Sequence, residues 1–573
     1  MGRAHVLDRG RFATPRRRID ADTTEYERGR LEQAIETSRT ELCAIRDQLD
    51  VEGAATFRML LDAHVAMHDD VMLIESAVTL MKAELINAEW ALERVIASIK
   101  EQFESVSDGY FRERAGDVEQ VGERILRQLV GRVSLLPMVQ GGSVLVATDL
   151  SPADAVQLSQ SRPAAIVLEL GSPTSHTAIL ARAMEIPCIV GVANATRRIA
   201  HGDTVVVDAL RGDVILDADD AMLARVEERS RRYRHFTGKL RERRSLVPEL
   251  QDGTVVELSA NVELASEVLI ANLDGVAGIG LFRTEFLYLG RANPPTEDEQ
   301  VDVYADVLRA AEQRPVVFRV FDFGGDKLPF ASPVARPSNP ALALRGLRFA
   351  LTRLDLLMTQ LRAILRASVH GKARIMFPMV ATIPDLRRAK QCVLDVQAQL
   401  KADGVPFAEV PIGTMIEVPS AVMLADHLAK EADFFSVGTN DLVQYVLALD
   451  RSDPKLFSRA RLYDPAVLRT LAHVAKAAEH ASVPFAMCGD MAADPIALPL
   501  VLGLGFRNLS MSLSQMPLAR EILSRVNMVQ VHALAKDALE CATATDVGRL
   551  IVQRLGTSLE EVWSENGIDP SSL

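Results

Sequence analysis

The stretch IGTMIEVPSAVMLADHLAKEADFFSVGTNDL (412–442) decides the fold. It holds two apolar runs of strand length, Ile412–Val418 and Phe434–Gly438, with a helical segment between them. Outward from this unit the pattern repeats. Thr254–Asn261, Gly278–Arg283, Pro315–Phe323, Ala373–Met379, Phe485–Cys488 and Asn508–Met511 read as further strands, each followed by helix. Periodicity alone does not separate a closed barrel from an open parallel sheet; a count of eight points to a (β/α)₈ TIM barrel over residues 249–573.

In such barrels the reactive groups sit at the carboxyl ends of the strands. Polar residues ill-suited to a core gather at those ends here. Arg283-Thr-Glu follows the second strand, Arg319 lies in the third, Glu417 ends the fifth, Asn440-Asp441 ends the sixth and Cys488 ends the seventh. Arg451 follows shortly after Asp441. Arginines offer forked donors to phosphate and carboxylate oxygens. Two carboxylates, Glu417 and Asp441, suit Mg²⁺, which takes one or two protein carboxylates and completes its shell with water and substrate. A small molecule bearing both phosphate and carboxylate would satisfy both sets.

Upstream of the barrel, residues 219–248 are dense in mixed charge and read as a solvated linker helix. Before them lies a compact α/β unit. Ser143-Val-Leu-Val-Ala-Thr, Ala165-Ile-Val-Leu-Glu-Leu, Ile189-Val-Gly-Val and Thr204-Val-Val-Val-Asp read as strands. Ser151 caps a helix with Pro152 in its first position, and another helix starts near Thr177. This unit takes residues 131–218 together with 1–19. Residues 20–130 form an inserted helical subdomain, expected as a hairpin of long helices. Its stripe is Leu31, Ile35, Ser38, Leu42, Ile45 and Leu49, with Ser38 as the one polar member. A second amphipathic stretch runs through Phe57, Leu60, Leu61, His64 and Met67. The fold class is therefore multidomain α/β.

Composition narrows the function. A net charge of −13 argues against a general nucleic-acid binder. Five scattered cysteines give neither a zinc spacing nor a CxxC pair and suit a reducing compartment. The opening residues have no signal-peptide core, and no apolar run reaches the length of a membrane span. A cytoplasmic protein without membrane insertion is expected.

The motifs GIGLFRTEFLYL (278–289), FRVFDFGGDK (318–327), RIMFPMV (374–380), GTMIEVPSA (413–421), DFFSVGTNDLVQYVLALDR (433–451) and MCGD (487–490) resemble the phosphoenolpyruvate-utilising family. Within it they are most similar to the Enzyme I branch of the sugar phosphotransferase system, over nearly the whole chain and in the same domain order. The resemblance implies that Arg283, Arg319, Asn440, Asp441 and Arg451 bind phosphoenolpyruvate. It further implies that Glu417 and Asp441 hold Mg²⁺ and that Cys488 is the proton donor. Arg345 and Lys327 match further positions lining the family's site.

GSPTSHTAILARAMEIPCIVG (171–191) resembles the family's phosphohistidine loop and makes His176 the phosphorylated residue. A helix start favours a phosphoryl anion there, and neutral imidazole is a competent nucleophile. The implied activity is phosphoenolpyruvate–protein phosphotransfer: onto His176, then onto a histidine of the phosphocarrier protein HPr or an HPr-like paralogue. The helical subdomain would dock that carrier, and the barrel would form a homodimer.

Four departures from the family pattern stand out. Gly171-Ser172-Pro173 replaces the usual Gly-Gly, and most of the opening Ser-Pro-Gly-Ile-Ala strand is expected to be lacking. The segment after Leu462-Tyr463 is short, and Cys488-Gly489-Asp490 replaces Cys-Gly-Glu. Three rival readings are a nitrogen-regulatory Enzyme I, a dikinase or synthase using ATP, and a non-catalytic regulator. The first two call for extra domains not seen in this sequence. The third has no chemical need for His176, Glu417, Asp441, the arginines and Cys488 together.

Overall fold

The computed structural model describes the 573-residue chain apart from residues 8–13, 48–60, 62–63, 66, 69–70, 106–108, 132–140, 152, 155–160, 172–176, 179–180, 182–185, 244, 264, 271–272, 274, 289–292, 325–338 and 451–460. It divides into two compact units, Met1–Ser230 and Arg231–Leu573. The boundary falls inside one helix, Asp220–Glu242, within the segment read as a linker.

The first unit holds a six-stranded sheet: β1 Gly2–Leu7, β2 Val144–Ala147, β3 Ala165–Leu168, β4 Cys188–Ile189, β5 Thr204–Asp208 and β6 Asp213–Leu216. Its order is β4-β3-β2-β1-β5-β6. The first four strands are parallel, and β5 and β6 continue antiparallel. Alternate residues serve opposite faces. Ala4, Val144, Val146 and Val167 pack on one side, while Leu7, Leu145, Ile166 and Leu168 pack on the other.

Two of these strands are absent from the sequence reading. They are β1, which lies inside the sheet, and β6 at its edge. Gly2-Arg-Ala-His-Val-Leu has no clean alternation; β2 on one edge and β5 on the other supply its partners. The Ser151 cap is as read. Its hydroxyl and backbone N–H both donate to the Asp154 carboxylate, and Asp154 N–H returns a bond to the Ser151 hydroxyl at 3.2 Å.

The helical segment is larger than a single hairpin. Four long helices are described: Thr24–Asp47, Val71–Glu84, Ala88–Ser105 and Gly109–Leu129. The break between the second and third is made by Leu85, in the left-handed region at φ 51°. Neither Gly nor Pro announces that turn in the sequence. Leu31, Ile35, Leu42 and Ile45 are buried as the stripe requires; Leu49, Phe57 and Leu60 lie outside the described residues. Ser38, equally buried, bonds His68 Nε2 at 2.8 Å, and His68 Nδ1 meets the His64 carbonyl at 2.8 Å. A carbonyl only accepts, so Nδ1 carries the proton and Nε2 accepts from Ser38. The polar position in the stripe is thereby satisfied.

In the second unit eight parallel strands close a barrel in chain order. They are β7 Glu257–Val262, β8 Ile279–Arg283, β9 Pro315–Arg319, β10 Lys372–Phe377, β11 Ile412–Ile416, β12 Phe435–Val437, β13 Phe485–Met487 and β14 Asn508–Met511. Every barrel strand read from the sequence is found, Asn508–Met511 to the residue and the others with one or both ends moved by one to a few residues. Leu281, Val317, Met376, Met415, Phe434 and Cys488 form one buried cluster. A much larger core joins strands to the surrounding helices.

The linker helix is charged and largely exposed, yet anchored. Arg229 pairs with Asp208 at 2.6 Å in the first unit. Phe236 is buried in the core of the second, where Arg243 also pairs with Glu521 at 2.8 Å.

Candidate active site

The described candidate side chains of the barrel leave it at a strand end or in the turn that follows, because the strand stops there. Arg283 is the last residue of β8, and the next four form a 3₁₀ turn, Thr284–Leu287. Arg319 is the last residue of β9, and Glu417 comes directly after β11. Asn440 and Asp441 do not end β12 as expected. They lie in the first turn of the helix Thr439–Leu447, with Gly438 as its N-cap. Cys488 follows β13. His176, Arg451 and Lys327 lie outside the described residues, as do Ser172 and Pro173.

The charges are arranged as one network. Arg283 Nη1 donates to Glu263 at 2.5 Å, and Arg319 Nη2 donates to Glu285 Oε1 at 2.8 Å. Arg345 donates to Asp322 at 2.6 and 3.3 Å and to Asp441 at 3.2 and 3.4 Å. Arg345, Asp322 and Asp441 are all buried. Burial opposes the Arg319 charge, but Glu285, Asp322, Glu417 and Cys488 outweigh it and raise the guanidinium pKa. Even so, Nε of Arg283 and Nε of Arg319 are buried without a hydrogen-bond partner. Buried donors rarely go unmet, so these two N–H groups are donors open to an acceptor oxygen of a ligand.

Glu417 is the opposite case. It is 1% exposed and accepts from Met379 N–H at 2.6 Å. Met379 holds φ 55° to make that bond, a strained conformation for a residue with a side chain. Burial, together with the carboxylates of Asp441 and Asp322, pushes Glu417 up to about 8; Arg319 and the Met379 bond act the other way. Gly438 leaves room for it, since a Cβ there would lie 2.9 Å from Glu417 Oε2. Among the described residues no group of three or more His, Cys, Asp or Glu side chains could hold a metal. The two buried, crowded carboxylates Glu417 and Asp441 nevertheless fit Mg²⁺, which needs only one or two from the protein.

Asn440 is oriented by its neighbour. Its Oδ1 accepts from Asp490 N–H at 2.8 Å, so its amide N–H₂ remains for a ligand. Gly489 makes this approach possible. A Cβ there would fall 1.9 Å from Thr439 Oγ1 and 2.6 Å from Thr439 N. Gly489→Ala is therefore expected to displace Asn440 and cut turnover about tenfold or more, with a small drop in Tm by thermal unfolding.

Cys488 is 6% exposed, and its thiol reaches the Val437 carbonyl at 3.6 Å. Burial pushes it up from 9.0 to about 11; Glu417 adds to the rise, while Ser436, Arg319 and Arg283 oppose it. It is a neutral acid held among charges. All five cysteines of the chain are free.

Sequence reasoning missed Glu285 and Asp322, though both stand inside quoted motifs. Their signal was a carboxylate two or three residues after an arginine at a strand end. No helix among the described residues is long and apolar enough to cross a membrane.

Comparison with known proteins supplies the context. Residues 238–528 match the PEP-binding domain of PEP-utilising enzymes, 139–212 their mobile domain and 1–114 their N-terminal domain. The phosphoenolpyruvate-protein phosphotransferase of Geobacillus stearothermophilus is 39% identical over 96% of this chain and 95% of its own length. Its namesake from Staphylococcus aureus (strain MSSA476) is 38% identical over 92% of each. An NMR structure of Enzyme I (nEIt) matches 41% of this chain and 94% of that one at 30% identity. Its TM-score is 0.36. Matched by such relatives along nearly its whole length, the chain belongs to the phosphoenolpyruvate-protein phosphotransferase family of PEP-utilising enzymes.

Proposed function

We propose that this chain transfers the phosphoryl group of phosphoenolpyruvate to its own His176 and then to a histidine of HPr or an HPr-like carrier, opening the phosphotransferase system for sugar uptake. The observation that carries the reading is the pairing of two buried, unpartnered arginine Nε–H groups with two buried, crowded carboxylates. The first pair asks for an anion and the second for a cation. A phosphate-bearing carboxylic acid accompanied by Mg²⁺ answers both.

In the proposed step a ring nitrogen of His176 attacks phosphorus, and the bond from phosphorus to the enol oxygen breaks. The electron pair leaves with the enolate of pyruvate. Arg283, Arg319 and Arg451 fix the donor's oxygens and meet the charge that spreads over them. Asn440 adds an amide donor. Glu417 and Asp441 would hold Mg²⁺, which supplies further neutralisation of the phosphoryl oxygens when bound. Cys488 gives its proton to the terminal carbon of the enolate, completing pyruvate, and regains one from solvent. Domain movement brings His176 to the barrel, the helical subdomain receives the carrier, the barrel dimerises, and the protein works in the cytoplasm.

The test is incubation with phosphoryl-labelled phosphoenolpyruvate and Mg²⁺. Acid-labile, base-stable label on the protein, with one pyruvate released per label, is the expected result. A folded protein that takes no label would sink the reading.

The thiol gives a second check. Cys488→Ala should bind phosphoenolpyruvate as the wild type does and release pyruvate about 10²–10³-fold more slowly. An acid works only while protonated. With Cys488 pushed up to about 11, its contribution should persist through neutral pH and fade only on the far alkaline side. A rate that falls near 9, the ordinary thiol value, would count against this role.

A further inference from the structure

We propose that Glu285 is a positioning residue for phosphoryl transfer, aligning Arg319 and, through Asp322, the Arg345–Asp441 pair. This rests on the barrel mouth being the phosphoenolpyruvate site.

The placement follows from local structure. After β8 the chain does not run straight into a loop but tightens into the 3₁₀ turn Thr284–Leu287. That turn carries Glu285 into the protein, where the residue is 9% exposed. Its Oε1 accepts two hydrogen bonds, from Arg319 Nη2 at 2.8 Å and from the backbone N–H of Asp322 at 2.7 Å. One oxygen thus fixes both the guanidinium that ends β9 and the backbone three residues beyond it. Asp322, held in this way, takes two bonds from Arg345, and Arg345 reaches Asp441. A continuous chain of charge-assisted bonds runs from the end of β8, through the end of β9, to the helix after β12.

Stability is a poor explanation for this carboxylate. Its Oε2 is buried with no hydrogen-bond partner, as is Nε of Arg319. A half-satisfied buried ion pair contributes little to folding compared with an apolar replacement. Its chemical use is clearer. A guanidinium held by one edge keeps its remaining donors in a fixed direction, and phosphoryl transfer depends on positioning within fractions of an ångström.

The backbone around these residues has independent support. Thr284 Oγ1 donates to the Arg319 carbonyl at 2.8 Å, and Gln360 donates to Thr284 Oγ1 at 2.9 Å. Gln360 Oε1 accepts from Phe321 N–H at 3.1 Å. Removing the charge of Glu285 should therefore leave the strand ends in place. Glu285→Gln keeps the shape and one acceptor for Asp322 N–H; it removes the anion opposite Arg319.

The experiment is a double-mutant cycle on the full-length protein. Label transfer from phosphoenolpyruvate is measured for wild type, Glu285→Gln, Arg319→Lys and the double variant. Glu285→Gln should lower kcat about 10–100-fold, with KM for phosphoenolpyruvate changed less than about threefold. Its Tm should match the wild type within about 2 °C. In the Arg319→Lys background the same change should cost less than about twofold, because the residue it acts through is already lost. Glu285→Asp keeps the charge at shorter reach and should recover part of the kcat, to within about 3–10-fold of the wild type. Wild-type kcat in Glu285→Gln, or losses that multiply in the double variant, would overturn the proposal. Should Glu285→Gln be poorly folded, Glu285→Asp decides: it must retain its Tm while losing kcat about 3–10-fold, and wild-type kcat there rejects the idea. A wild-type protein that takes no label indicts the site itself, which is a different failure.

Discussion

His176→Ala is expected to carry no label from phosphoenolpyruvate while binding that compound as tightly as the wild type does. The two halves of this result come from different parts of the chain. His176 belongs to the unit Met1–Ser230, whereas Arg283, Arg319, Glu417, Asp441 and Cys488 belong to Arg231–Leu573. Deleting the imidazole removes the acceptor and touches none of the groups proposed to hold the donor. Calorimetric Kd values for phosphoenolpyruvate should agree within about twofold, since no binding contact is lost. Pyruvate should not appear at all without an acceptor, and no phosphoryl group should reach the carrier. The chain has 11 histidines, so label surviving in the variant would mean that another of them is the acceptor. Next in sequence after His176, Thr177 Oγ1 donates to the Leu150 carbonyl at 2.9 Å.

What could be read from residues alone follows from how each element is stabilised. The barrel strands are buried on both sides, so they stand out as apolar runs whatever their partners. All eight were located, and Asn508–Met511 was located to the residue. Their ends were less legible. Pro315–Phe323 reads as one strand, but pairing stops at Arg319, although Val320, Phe321 and Phe323 stay buried. Burial continues past the last ladder bond, and sequence reports burial. β1 was missed for the converse reason. Its six residues include Gly, Arg and His, and they are a strand only because β2 and β5 flank them. The helical subdomain was underestimated because a left-handed Leu85 ends a helix without any residue that signals a stop.

The site divides in the same manner. Arg283, Arg319, Glu417 and Cys488 fall at strand ends, and Asp441 in the helical turn after β12, where position in the fold implies use. Arg319 and Glu417 are electrostatic neighbours of each other and of Cys488, and Asp441 is a neighbour of Glu417. Glu285 and Asp322 stand beside them in sequence, but which way a carboxylate turns depends on a 3₁₀ turn and on a backbone N–H three residues away. Such choices are made by hydrogen-bond geometry and leave no pattern in residue types. The φ of Met379 is legible only in three dimensions as well, since nothing about methionine predicts a left-handed backbone.

Glu417→Gln should lose phosphoryl transfer and gain stability, and the second effect should depend on pH. Without metal, burial and the carboxylates of Asp441 and Asp322 push Glu417 from its ordinary 4.5 to about 8. Between those values the folded protein holds a proton there that the unfolded chain has released. Stability from this group is then complete below about 4.5 and falls as pH rises, until the folded protein also ionises near 8. Glutamine cannot ionise, so the variant should not show this decline. Its carbonyl can still accept from Met379 N–H, and its amide can donate to the neighbouring carboxylates. In metal-free buffer the wild-type Tm should drop between pH 5 and pH 8 by roughly a few degrees more than the variant's, given one proton of linkage in a large unit. Added Mg²⁺ should raise the wild-type Tm and leave that of the variant unchanged, because a ligand stabilises only the fold it binds. Label transfer should fall on the order of 10³-fold or more, the scale of losing several kcal/mol of charge stabilisation. The two measurements pull in opposite directions, and this is what separates a metal-binding carboxylate from a structural one. A structural Glu417 would make its replacement less stable at every pH and indifferent to Mg²⁺ in the wild type. A carboxylate kept in a crowded, buried site for the cation it will meet makes the empty protein weaker, and its loss makes the protein stronger and inert.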